Sequence, residues 1–211
     1  MELFFSPLAC SMASRMALYE AGAPATFVEV DPRTKRTLTG LDYLAINPLG
    51  LVPALRIDGG EMLLENAAIL QYIADRYPEA SLAPGPGLER SRLQQWLSFI
   101  GTELHKALFI PLFDKGLADT TRTKTLETGT KRLAYLDRHL EGREHLLERF
   151  SVADAYLTTV LNWTLATPVD LKRWPAIDAY LARMKSRPSI ARAMKEEFAL
   201  YAEEQKRHKA A

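Results

Sequence analysis

Cysteine is nearly missing from this chain: Cys10 is the only one in 211 residues. A lone thiol closes no internal disulfide and builds no thiolate-rich zinc site. With Ala13 three positions further on, it also has no dithiol partner. Any thiol redox cycle must borrow sulfur from another molecule. Charge imbalance is missing too: 27 basic and 26 acidic side chains leave a formal charge of +1, which argues against nucleic acid as the main partner. No apolar run approaches the roughly 20 residues that cross a bilayer. The first residues lack the basic patch, apolar stretch and cleavage site of a secretory signal. The expectation is a cytoplasmic chain with no membrane partner and no metal. Repeats and low-complexity tracts are also absent, and the length suits two modest domains or one large one.

What is present changes character near residue 80. Before it, the runs Glu2 to Ser6, Thr26 to Val30, Pro53 to Ile57 and Glu61 to Leu64 have strand-like composition, and they alternate with helical patterns over 10–21 and 66–77. Asp58, Gly59 and Gly60 join the last two runs at hairpin spacing and predict an antiparallel pair. The intervening helix predicts that the first two runs are parallel. Pro78, Pro84, Gly85, Pro86 and Gly87 then break any helix and mark a linker over 79–87.

Beyond the linker the pattern is helical to the end, which predicts an α/β domain over 1–78 and an all-helical domain over 88–211. Leu93, Trp96, Leu97, Ile100 and Leu104 form one apolar stripe, and Leu126, Leu133, Leu136 and Leu140 another. From Val152 to Leu165 the pattern is apolar on nearly every face, as suits the centre of a bundle. Ser151 and Asp154 have capping-box spacing at its start, and the cap accounts for Asp154 better than catalysis does. Lys195 to Lys209, dense in both charges, reads as a solvated last helix rather than a binding arm.

Cys10 stands where the first strand gives way to the first helix. A thiol there feels unpaired backbone N–H groups and the positive end of the helix dipole, which suits a reactive sulfur. Free cysteine is also commonly a small buried hydrophobe, and position alone supports both readings equally. Val52 precedes Pro53 at a strand start; a cis bond there would turn the Val52 backbone outward to pair with an extended peptide. Glu65 and Asn66 open the next helix, where N–H groups attract carboxylates and Glu65 can take an ammonium. Taken alone, a plain N-cap explains them better. Ser98, Thr102 and His105, at i, i+4 and i+7, are expected on one helix face.

Together these residues resemble a known family. Ser6, Pro7, Cys10 and Ser11; Arg33, Thr34 and Lys35; Ala45, Ile46, Asn47, Pro48, Gly50, Val52 and Pro53; Glu65 to Ile69 with Tyr72, Ala74 and Asp75; and Phe150 to Tyr156 are similar, in order and spacing over almost the whole chain, to a bacterial beta-class glutathione transferase. The resemblance implies an N-terminal thioredoxin-like domain (βαβ, then ββα) holding glutathione as co-substrate, a C-terminal helical bundle lining the electrophile site, and a homodimer. It puts Cys10 beside glutathione's sulfur and Val52, before a cis Pro53, against the cysteinyl backbone. Glu65 and Asn66 hold the γ-glutamyl end, and Lys35 neutralises the glycyl carboxylate. Ser98, Thr102, Glu103, Leu104 and His105 come from the helical domain, with the region of Ser98 and Glu103 serving the neighbouring subunit.

The resemblance also shapes the expected chemistry. Cys10, Ser11 and His105 are the catalytic candidates: Ser11 donating to the ligand thiolate, His105 orienting Cys10 or exchanging a proton with it. Leu8, Met12, Phe109, Phe113 and Trp163 are candidates for an apolar electrophile pocket. The chain departs from the family pattern at Phe5, where tyrosine is common, at Asn66, at Ser98, and at Leu147 and Glu148. Three functions follow: a conjugating, detoxifying glutathione transferase, which is the leading one; a glutathione-dependent thiol reductase or isomerase; and a non-catalytic binding or structural protein that keeps the fold.

Overall fold

In the computed structural model, which describes residues 1–210, β1 (Glu2–Phe5) is the middle strand of a five-stranded sheet. Successive strand side chains point to opposite faces, and here both faces are covered. Phe4 turns to Tyr43, with ring centroids 5.7 Å apart, and Phe5 lies under the Arg15 guanidinium, 4.3 Å from its ring centroid. After β1 come α1 (Met12–Glu20), β2 (Thr26–Asp31), β3 (Arg36–Thr37), β4 (Ala54–Arg56), β5 (Met62–Leu64) and α2 (Asn66–Arg76). The sheet order is β3-β2-β1-β4-β5. β1 and β2 are parallel, and β4 and β5 antiparallel, as the connections predict. β3 went unread because two residues carry no periodicity; it pairs antiparallel with β2.

The helical unit begins with α3 (Leu88–Phe99), which runs without a break into a π-helical stretch, Ile100–Phe109, and then the short α4 (Ile110–Phe113). α5 (Asp119–Leu140), α6 (Val152–Asn162) and α7 (Pro175–Lys185) follow. Every residue of α6 is buried, as its all-round apolar pattern predicts. Its capping box forms: the Ser151 N–H donates to Asp154 Oδ2 at 2.9 Å. The other carboxylate oxygen takes the Leu146 N–H and the Tyr180 hydroxyl, each at 2.9 Å. Gly129 of α5 lets the π-helical stretch approach closely, since a Cβ there would meet Leu108 Cδ1 at 2.3 Å.

The last helix, α8 (Pro188–Ala210), corrects the expected boundary. The chain packs as two units, Met1–Leu82 together with this helix and Ala83–Arg187, so α8 belongs with the sheet rather than with the helical domain expected over 88–211. The reason lies in its inner face. Ile190, Ala193 and Glu197 are fully buried along α1, and Glu204 nearly so. Its charges are therefore not merely solvated: Arg207 pairs with Glu29 and His208 with Asp31, both on β2. Among the described residues, no helix is long and apolar enough to cross a membrane.

Candidate functional site

The segment from Ser6 to Ser11 links β1 to α1, and backbone geometry decides what each side chain can reach. Ala9 N–H donates to Ser6 O at 3.1 Å, closing a turn, and Leu8 within it has φ of 60°. A branched residue rarely takes this left-handed conformation, and it persists only where the surroundings impose it. Cys10 is half-buried in the turn before α1, its carbonyl accepting from Ala13 N–H at 3.1 Å. Its thiol donates to Val52 O at 3.2 Å. Donation to a backbone carbonyl is a contact of the protonated sulfur, and it turns Cys10 Sγ toward the Val52 backbone. Ser11 departs from expectation. It is fully buried, and its hydroxyl donates to Ser6 O and accepts from Ser6 N–H, both at 3.3 Å. The hydroxyl ties the loop to its own strand.

The Val52–Pro53 bond is cis. Asn47 Nδ2 and the Tyr43 hydroxyl donate to the preceding carbonyl, Leu51 O, at 2.8 and 2.7 Å, and they fix the approach to Val52. Lys35 has φ of 54°, and its ammonium donates to Gly50 O at 2.9 Å. Glu65, exposed with φ of 67°, stands immediately before α2. Asn66, the first residue of that helix, is buried; its Oδ1 accepts from Ser14 at 2.9 Å while its Nδ2 has no protein partner. An orphaned buried donor beside a carboxylate, at a helix start, can take an anionic group and an ammonium together.

In the helical unit the expected shared face does not form. Ser98 and Thr102 are exposed, with Thr102 Oγ1 bonding back to Ser98 O at 3.0 Å, whereas His105 is buried. The π-helical turn accounts for this. Ile110 N–H reaches back five residues to His105 O, and the wider turn rotates His105 off the stripe that 3.6-residue spacing predicts. Glu103 is paired with Arg132, and Leu104 is wholly buried, so Leu104 is packing rather than a ligand contact. His105 Nδ1 lies 2.7 Å from the Tyr156 hydroxyl. Burial, helped by the charge of Lys106, drives its imidazole down to about 4, so the ring is neutral near pH 7.

Trp163 stacks edge-on against His105, Phe109 and Phe113 at 4.8, 6.0 and 5.6 Å. Of the apolar pocket candidates, Phe109 and Met12 are completely buried and belong to the core of their units, while Phe113 is exposed and Leu8 half-buried. Sequence reasoning missed three contributors: Tyr156, which orients His105, and Arg15 and Glu197, described below. Tyr156 sits in the run after Ser151, but nothing local marks its partner. Among the described residues, no group of three or more His, Cys, Asp or Glu side chains is placed to hold a metal ion.

Comparison with known proteins adds an independent line. The chain matches the family model "Glutathione S-transferase, N-terminal domain" over residues 9–76 and "Glutathione S-transferase, C-terminal domain" over 104–188. It is 42% identical over 200 residues to glutathione S-transferase GstA of Escherichia coli O157:H7, spanning 93% of this chain and 98% of that protein. Among solved structures, it is similar to a sphingomonad glutathione S-transferase complexed with glutathione, with a TM-score of 0.89 and 46% identity over 93% of this chain and 98% of that one. It is equally similar to a bacterial beta-class enzyme of Sphingomonas chungbukensis, with a TM-score of 0.88 and 47% identity over 93% and 98%.

Proposed function

Because the chain belongs to the glutathione S-transferases, we propose that it transfers the glutathione thiol to small, mostly apolar electrophiles, with the ligand held along Cys10, Val52 and the start of α2. The observation that carries this reading is the contact from Cys10 Sγ to Val52 O. A peptide that pairs with the Val52 backbone arrives at the atom the thiol already touches, so its own cysteinyl sulfur comes to rest beside Cys10.

The other residues fit the ends of such a ligand. The orphaned Nδ2 of Asn66 and the first turn of α2 suit the γ-glutamyl carboxylate, and the exposed Glu65 carboxylate suits the ammonium beside it. Lys35 exchanges Gly50 O for the glycyl carboxylate. Released from Val52, the Cys10 thiol becomes the hydrogen-bond donor that steadies the ligand thiolate. Ser11 shapes the loop instead of donating. In conjugation the sulfur–carbon bond forms as the bond to the leaving group breaks, the leaving group departs with its electron pair, and the thiol proton has already gone to solvent. Within the helical unit, Trp163 and Phe113 form an aromatic surface of the kind an apolar electrophile favours, with His105 beside them as a neutral ring. Apolar contacts discriminate weakly, which suits a broad substrate class. We assign the protein to the cytoplasm as a homodimer, with exposed Ser98 and Thr102 and half-exposed Glu103 available to the second copy.

The half-buried Cys10 sulfur also favours a second use of the site, thiol–disulfide exchange. There the Cys10 thiolate attacks one sulfur of a disulfide and releases the other as a thiolate; glutathione then attacks the mixed disulfide and frees Cys10. Retention on immobilised glutathione, conjugation of 1-chloro-2,4-dinitrobenzene and reduction of hydroxyethyl disulfide, each on wild type and Cys10→Ala, test both uses. The expected result is retained conjugation at a reduced rate and lost disulfide reduction in the variant. A protein that neither binds glutathione nor turns over either substrate overturns the proposal.

A further inference from the structure

We propose that Glu197, on the last helix, is a positioning residue for the Cys10 loop. Its carboxylate is fully buried and uses both oxygens: Oε2 accepts from the Leu8 N–H at 2.8 Å and Oε1 from Arg15 Nε at 2.9 Å. Leu8 stands two residues before Cys10 and carries the left-handed φ that shapes the turn. A buried hydrogen bond to that N–H holds the peptide plane in the orientation the turn requires.

Arg15 fixes the carboxylate from the other side. Its guanidinium carbon lies 4.3 and 4.1 Å from the ring centroids of Phe5 and Phe27, and Nη1 reaches the Tyr19 hydroxyl at 3.2 Å and Glu196 at 3.3 Å. One connected set of contacts thus runs from β1 through Arg15 and Glu197 to the turn that presents the thiol.

Docking of α8 does not account for this arrangement. The helix is already attached near its start by Ser189 to Glu20 and near its end by Arg207 to Glu29. A buried carboxylate between these points is an expensive way to add adhesion, since apolar residues of similar size hold helices as well or better. What Glu197 adds, and an apolar residue would not, is an acceptor for Leu8 N–H. Ser6 and Ser11 hold the ends of the loop, and Glu197 holds its middle. With the middle fixed, the Cys10 sulfur faces Val52 O; with it released, the thiol leaves that carbonyl and the surface that receives glutathione loses its shape.

The inference rests on Cys10 lying against glutathione's sulfur, and the test separates the two claims. Cys10 alkylation by iodoacetamide reads the loop without glutathione, while calorimetric binding of glutathione reads the functional site. Glu197→Ala is expected to speed alkylation about fivefold and weaken glutathione binding about tenfold. Glu197→Gln, isosteric and left with one acceptor, falls between it and wild type and keeps the measurement available if the alanine variant does not fold. Ser189→Ala, which loosens the same helix away from the loop, is the structural control and leaves both values within about twofold of wild type. Unchanged alkylation in the Glu197 variants, or an equal change in Ser189→Ala, overturns the positioning role. A wild type that binds no glutathione overturns the functional reading instead, and the alkylation result still decides the role of Glu197.

Discussion

The start of α6 is closed by neighbours in the chain, whereas the loop that enters α1 is held from the chain's far end. At α6, Ser151 and Asp154 satisfy each other across one turn, in a backbone that is extended at Ser151, with φ of −141°. At α1, the turn carries Leu8 at φ of 60°, and its N–H is taken by a carboxylate 189 residues away. The first arrangement forms as soon as the helix does. The second exists only once the whole sheet unit has assembled, so it can be loosened without unfolding the helix it precedes. A helix start that anchors a core needs the first property, and a loop proposed to exchange one partner for a ligand benefits from the second.

The largest expected effect breaks the α6 side. Asp154→Ala leaves Leu146 N–H, Ser151 N–H and the Tyr180 hydroxyl without their acceptor in a fully buried place. A loss of about 3–5 kcal/mol, near 10 °C in thermal midpoint, is expected. Ser151→Ala removes only the capping hydroxyl and costs about 1 kcal/mol. Equal losses in a thermal melt would mean that the local box does all the work, and that Leu146 and Tyr180 add nothing to it.

A second test uses pH, because His105 and Glu197 titrate in opposite directions. Burial holds His105 at about 4, below its ordinary 6.5, so the unfolded chain binds the extra proton first. Stability from this group is complete above pH 6.5 and is lost as pH falls toward 4, by up to about 3 kcal/mol. Burial raises Glu197 to about 7, from an ordinary 4.5, against the pull of Arg15 and Leu8 N–H. Its contribution is complete below pH 4.5 and is lost as pH rises toward 7, by a similar amount. Hydrogen exchange, corrected for intrinsic rates, should show a His105-dependent loosening of the amides around His105, set against the opposite pull of Asp154, whose carboxyl burial raises, and a Glu197-dependent tightening of α8 amides as pH falls from 6.5 to 4.5. His105→Gln should abolish the first trend and Glu197→Gln the second. Parallel trends in both units would collapse the distinction between them.

The same contrast explains what the sequence revealed. The capping box, the hairpin at Gly59 and Gly60, and the buried face of α6 are encoded within a turn or a few turns, so spacing alone exposes them. The order of Cys10, Val52, Pro53, Glu65 and Asn66 points through family resemblance to a candidate site on the sheet unit. The clamp on Leu8 was invisible because a buried Arg15–Glu197 pair looks, in sequence, like two ordinary surface charges; Glu197 lies in a segment whose composition reads as solvated. The shared face of Ser98, Thr102 and His105 failed for another reason. Spacing arguments assume 3.6 residues per turn, and nothing in Ile100 to Phe109 announces a wider helix.

The smallest expected effect separates the Leu8 side chain from its N–H. Leu8→Gly keeps the donor to Glu197 and removes the steric cost of the left-handed backbone, worth about 1–2 kcal/mol. It also adds backbone entropy to the unfolded chain, which offsets about 0.5–1 kcal/mol of that gain. Net stability should therefore change by less than about 1 kcal/mol. If the clamp works through the backbone, Cys10 alkylation should stay within about twofold of wild type, and if Leu8 lines the electrophile pocket as the sequence reading expects, the KM for an apolar electrophile should rise a few-fold. A large rise in alkylation would instead assign the loop's order to Leu8 packing, and the far-end carboxylate would no longer distinguish the start of α1 from that of α6.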